Sequence, residues 1–172
     1  VYSPAPKQAQ QLVANRLIRP VGGGSGSATT ATQPGGPVAA TRSDIKKIAN
    51  ELGRPIYWAG IESHVTYELT QTPDGRIYVR YLPAGVKIGS SQPYPTVATY
   101  PLQGAYATTS AAAAQPDAVK IAVSGGVGFY TKARPTSVYV AFKGTDVQIE
   151  VFDSSADRLH QLVASGKVQP VS

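Results

Sequence analysis

The 172-residue sequence predicts an α+β fold, a mainly antiparallel sheet with helices packed on one of its faces. Two observations carry that class. Two runs of strict apolar/polar alternation are each interrupted by turn-forming residues, and three segments carry helix periodicity or helix-favouring composition between stop signals.

The first alternating run is HVTYELTQT-PDG-RIYVRYLP. A three-residue Pro-Asp-Gly loop suits a type I turn followed by Gly75 in the left-handed bulge position. This register sets Leu69 beside Val79 and Tyr67 beside Tyr81 on one face, with Glu68 beside Arg80 and Thr70 beside Tyr78 on the other. A two-residue loop would pair Leu69 with Arg80 and mix the faces. In the second run, TSVYVAFK-GT-DVQIEVFD, a Gly144-Thr145 loop with Gly first suits a type II′ turn. Phe142 then faces Val147, Val140 faces Ile149 and Val138 faces Val151. Lys143 meets Asp146 and Tyr139 meets Glu150 on the opposite face. One apolar face and one face of tyrosines, threonines and ion pairs describe an antiparallel sheet covered on one side.

The clearest helix is TRSDIKKIANELGRP. Thr41 with Asp44, or Ser43, caps its first amides, while Ile45, Ile48, Ala49 and Leu52 form a stripe. Gly53 and Pro55 end it. An Ala-rich helix is expected from Gln103 to Ala114, close to the sheet because its side chains are small. A last helix, from about Ala156 to Ala164, carries Leu159, Leu162 and Val163 on one side. Shorter strands are expected at Ile56–Ala59, Thr96–Tyr100, Val119–Val123 and Val127–Thr131, with a terminal strand, Lys167–Val171, joining the sheet edge. In PIYWAG, alternation buries one of Tyr57 and Trp58 and exposes the other, and Trp58 shares the core face with Ile56.

Composition breaks near Arg42. Residues 1–42 hold four cations (Lys7, Arg16, Arg19, Arg42) and no acid, and Val21–Thr41 carries no charge. This stretch reads as a flexible N-terminal arm and Gly/Ser/Ala/Thr/Pro linker, and residues 43–172 as a single globular domain. Within the arm, Leu12, Val13 and Leu17 recur at helical spacing and form a candidate docking segment.

The net charge of +6 suggests nucleic acid, yet the arm supplies +4 of it. The remaining twelve bases and ten acids are interspersed, with Lys46–Lys47 the sole adjacent pair of cations, so nucleic acid is not expected as a partner. The absence of Cys removes disulfides, thiolate metal sites and a cysteine nucleophile. The absence of Met is the expectation for a mature product whose signal or anchor lies upstream of Val1.

Four phrases together, GRPIYWAG (Gly53–Gly60), YELTQTPDGRIYVRYLPAGV (Tyr67–Val86), ATYP (Ala98–Pro101) and SVYVAFKGTDVQIEVFD (Ser137–Asp153), are similar to the extracytoplasmic domain of uncharacterised, membrane-anchored actinobacterial proteins. The resemblance spans residues 43–172. It implies a location outside the membrane and no assigned activity.

Chemistry-bearing motifs are few. His64 and His160 are the only histidines and neither has a set of ligands nearby in sequence, so each is expected at the surface. No Ser stands in a G-x-S-x-G elbow, and Ser124-Gly-Gly-Val-Gly lacks the lysine and helix of a phosphate loop, which leaves a tight turn or bulge. Glu68 and Glu150 each have a cross-strand partner, so paired-carboxylate catalysis is not expected. Neither cofactor nor metal is called for. The most promising surface is the polar sheet face, where Tyr78, Arg80, Tyr139 and Glu150 form a candidate partner-binding patch for a protein or cell-envelope component. The expected role is a non-enzymatic, extracytoplasmic binding or sensing domain on a flexible stalk. The alternative is a structural subunit of a surface assembly that oligomerises through the arm.

Overall fold

A computed structural model describes residues 35–172. The candidate docking residues Leu12, Val13 and Leu17 lie outside the described residues. Helices are α1 (Arg42–Leu52), α2 (Ala105–Ala112) and α3 (Ala156–Ala164). Strands are β1 (Gly35–Ala40), β2 (Tyr57–Trp58), β3 (Val65–Gln71), β4 (Ile77–Pro83), β5 (Thr96–Pro101), β6 (Ala118–Ile121), β7 (Gly126–Thr131), β8 (Arg134–Phe142), β9 (Val147–Phe152) and β10 (Gln169–Pro170). Eight strands form one antiparallel sheet in the order β1-β3-β4-β5-β9-β8-β7-β6, and β10 pairs with β2 as a separate ribbon. The class is α+β.

Both hairpin registers follow from alternation and turn chemistry. Leu69 pairs with Val79, Tyr67 with Tyr81, Glu68 with Arg80 and Thr70 with Tyr78. Val140 pairs with Ile149, Val138 with Val151 and Tyr139 with Glu150. Gly75 and Gly144 take φ of 80° and 77°, values that cost a Cβ-bearing residue strain and glycine little. Helix α1 opens with the full reciprocal capping box: Thr41 accepts from the Asp44 amide, and the Asp44 carboxylate accepts from the Thr41 amide at 2.8 Å. The Thr41 hydroxyl, donating to that carboxylate at 2.7 Å, and the Thr41 amide hold the Asp44 carboxyl below its ordinary range. Ser155 caps α3 more simply, its hydroxyl accepting from the Arg158 amide at 3.4 Å.

The core lies on one side of the sheet. Leu69, Ile77, Val79, Val97, Val138, Val140, Val147, Ile149 and Val151 point there and meet Ile45 and Ile48 of α1, Leu159 and Val163 of α3, and Tyr57 and Trp58 of β2. The Tyr57 amide donates to Thr99 Oγ1 at 3.0 Å, and the Val171 amide donates to the Ile56 carbonyl at 2.9 Å, so the β2–β10 ribbon spans this face.

Four expectations need correction. The helices do not share one face: Gln148, next to core-facing Ile149 and so on the reverse side, donates to Thr109 of α2 at 2.9 Å. Small residues let α2 lie there, covering Ala141 and Phe129. The expected linker ends earlier than Arg42, because Gly35–Ala40 forms an edge strand on β3. Its residues carry no period-two pattern, since an exposed edge held by backbone bonds requires none; Pro37 lies where the register shifts, as edge prolines do. The terminal strand joins β2, not the large sheet. Tyr57 and Trp58 are both buried, because β2 packs against the core face of the sheet: Tyr57 stacks on Phe142 at 5.3 Å and Trp58 meets Tyr67 edge-on at 5.8 Å.

Candidate functional site: the tyrosine face

Antiparallel pairing brings four side chains of the reverse face into one row. Tyr78 pairs with Ala98, Ala98 with Glu150 and Glu150 with Tyr139, crossing β4, β5, β9 and β8. Adjacent strands are about 4.8 Å apart, so the row runs for about 14 Å. Ala98 leaves a gap that Tyr100 fills from two residues along the same strand. Its hydroxyl donates to Glu150 Oε2 at 2.6 Å, and its ring meets Tyr78 edge-on at 5.9 Å. On the other side the Tyr139 hydroxyl donates to Glu150 Oε1 at 3.4 Å, and the Tyr139 ring lies 5.5 Å from Phe129. Tyr78, Tyr100 and Tyr139 thus line an aromatic ledge with a half-buried carboxylate in its middle, and Phe129, buried under α2, backs Tyr139.

Burial and the adjacent Glu150 carboxylate push the Tyr100 phenol well above its ordinary range, so it stays a proton donor to Glu150 at any physiological pH. Arg76 lies over the Tyr100 ring of the ledge itself at 5.6 Å, and beside the ledge Arg80 lies over Tyr94 at 5.6 Å and Lys143 over Tyr106 at 5.5 Å. Glu150 itself forms no ion pair among the described residues.

Arg80, grouped in sequence with Tyr78, Tyr139 and Glu150, has a different employment. It bonds Glu68 Oε1, and its Nη2 donates to the carbonyls of Ser90 at 2.9 Å and Gln92 at 2.7 Å. Glu68, only 1% exposed, accepts from the Gly89 amide at 2.6 Å. The pair clamps the 84–95 connection onto the sheet. Tyr78, Tyr139 and Glu150 therefore share one site with Tyr100, and Arg80 forms its neighbouring wall. Tyr100 is the residue that sequence reasoning missed. Alternation places it with Ala98, but β5 reaches β9 through no hairpin, so nothing local announces the contact.

The remaining candidates resolve into packing. His64 is exposed at a turn with φ of 60°. His160 is half-buried, not at the free surface expected: its ring stacks on Tyr130 at 4.3 Å and its Nε2 lies 3.0 Å from the Pro135 carbonyl. The Ser124-Gly-Gly-Val-Gly run ends the β6–β7 turn and begins β7. A Cβ at Gly128 would stand 2.6 Å from Val123 Cγ2, and one at Gly126 would stand 2.8 Å from the Ala141 carbonyl. Close strand approach accounts for both glycines. An apolar cleft of about 450 Å³ opens beside that turn, lined by Tyr57, Phe142, Val140, Val163 and Val168. Among the described residues no group of three His, Asp or Glu converges to hold a metal ion, and no helix is long and apolar enough to cross a membrane.

Comparison with known protein families, with curated proteins and with solved structures finds no match to this chain.

Proposed function

We propose that this protein is a non-catalytic recognition domain that works outside the membrane, carried on a Gly-, Ser-, Thr- and Pro-rich stalk, and that its recognition surface is the tyrosine face. The observation that supports this reading is the ledge of Tyr78, Tyr100 and Tyr139 around the Glu150 carboxylate. Tyrosines offer broad apolar contact with a polar tip at small entropic cost, which is why they recur at binding surfaces. The ledge also has walls: α2 on one side and the clamped 84–95 connection on the other. Its partner is a protein or a cell-envelope component, and the residues before Gly35 connect it to the envelope.

Arrays of cell-wall glycans and envelope peptides test this reading. Wild-type protein binds a defined subset, and Tyr78→Ala with Tyr139→Ala abolishes that binding while the circular dichroism spectrum stays unchanged. Binding that survives the double substitution would place recognition elsewhere.

A further inference from the structure

We infer that the ledge takes a primary ammonium group, seated on Glu150 and flanked by tyrosine rings; this rests on the recognition face proposed above. Glu150 is the site's only carboxylate and it is half-buried, yet no lysine, arginine or histidine among the described residues forms an ion pair with it. Its hydrogen bonds come from two neutral hydroxyls, at 2.6 Å and 3.4 Å, which leave its charge uncompensated. A carboxylate has about four lone-pair sites, so acceptor capacity remains for a ligand N–H. A partly desolvated, unbalanced anion gains most from a cation, and the negative faces of tyrosine rings add to that preference.

The rest of the face follows the same rule. Arg80, Arg76 and Lys143 each lie over a tyrosine ring, and Arg80 and Arg76 also pair with an acid, Glu68 and Asp74. Glu150 has Tyr100 and Tyr139 bonded to it and no cation paired with it among the described residues, and a ligand completes the set. A primary ammonium fits better than a quaternary one, because the open carboxylate oxygen asks for N–H donors. Either a lysine-like peptide side chain or an amino sugar carries that group.

Titration of ring-labelled tyrosines by nuclear magnetic resonance tests the inference with four probes. These are Nα-acetyl-lysine methylamide, its Nε-acetylated form, glucosamine and N-acetylglucosamine. The charged member of at least one pair shifts the Tyr78, Tyr100 and Tyr139 signals saturably, and its acetylated partner binds at least about ten-fold more weakly, the usual worth of a charge-assisted hydrogen bond. Which pair responds identifies the source of the ammonium. Glu150→Gln, which keeps an oxygen for Tyr100, weakens the charged probe by about the same factor. Tyr78→Leu weakens it roughly two- to five-fold. Equal binding of charged and acetylated probes, or unchanged affinity in Glu150→Gln, overturns the ammonium assignment. If neutral glycans on the array still need Tyr78 and Tyr139, the recognition face stands without it. If no probe and no array ligand engages the face, both readings fall.

Discussion

The Tyr100 hydroxyl donates to Glu150 at 2.6 Å across the β5–β9 boundary, where the two halves of the sheet meet. No hairpin joins these strands. The bond therefore depends on the whole sheet having assembled, and it fixes a carboxylate at the centre of the candidate site. Burial of the phenol is part of the same arrangement.

That burial has a consequence for pH. Burial raises the Tyr100 and Tyr81 phenols above their ordinary value of 10.0. A raised folded-state value means the associated stability is fully present below pH 10 and is lost as pH rises above it. Absorbance titration at 295 nm should show these two phenols ionising only as the protein unfolds. Ionisation of all ten tyrosines in one reversible step near pH 10, with the fold intact, would contradict their burial.

Glu68 and Arg80 lie on the polar face and are nonetheless structural. Glu68→Ala strands the Arg80 guanidinium and the Gly89 amide, and should cost about 3 kcal/mol in urea melts. Replacing both members with leucine should recover most of that loss, since neither charge is then left alone. A Glu68→Ala cost below about 0.5 kcal/mol would mean that the 84–95 connection is not held by this pair.

The two faces should also respond differently to an introduced charge. Val79 is fully buried among core residues, so Val79→Asp should destabilise by about 4 kcal/mol or more. Thr70 lies half-buried opposite Tyr78, and Thr70→Asp should cost under about 1 kcal/mol. Equal costs would contradict the register of β3 on β4.

Sedimentation separates the tethered domain from a subunit of an assembly. On the proposed reading the wild-type chain sediments as a monomer, and Leu12→Asp with Leu17→Asp changes nothing. A large wild-type complex that this double change dissolves would favour the assembly.

Local chemistry made much of the fold readable. Turn residues and alternation specify which residues oppose each other in β3–β4 and β8–β9, and Thr41 with Asp44 marks the start of α1. The edge strand β1 carries no such signal, because its pairing needs only backbone. The side chosen by α2 was hidden too: its small residues fit either face, and Gln148–Thr109 is a contact between distant segments. The site was half-visible for the same reason. Tyr139 and Glu150 oppose each other within one hairpin, whereas Tyr100 and Tyr78 join them through β5, whose neighbour on the β9 side no local pattern names. Arg80 was misgrouped because the cover over Glu68 comes from a connection without periodicity.

On the proposed reading recognition occurs on the tyrosine face and not in the apolar cleft or around Ile61, which is 73% exposed. Methyl- and ring-labelled protein, mixed with soluble cell-envelope fragments and followed by nuclear magnetic resonance, tests it most directly. Shifts are expected at Tyr78, Ala98, Tyr100 and Tyr139, with Val140, Val163, Tyr57 and Ile61 unmoved. Shifts confined to the second group, or none with any fragment, would contradict it.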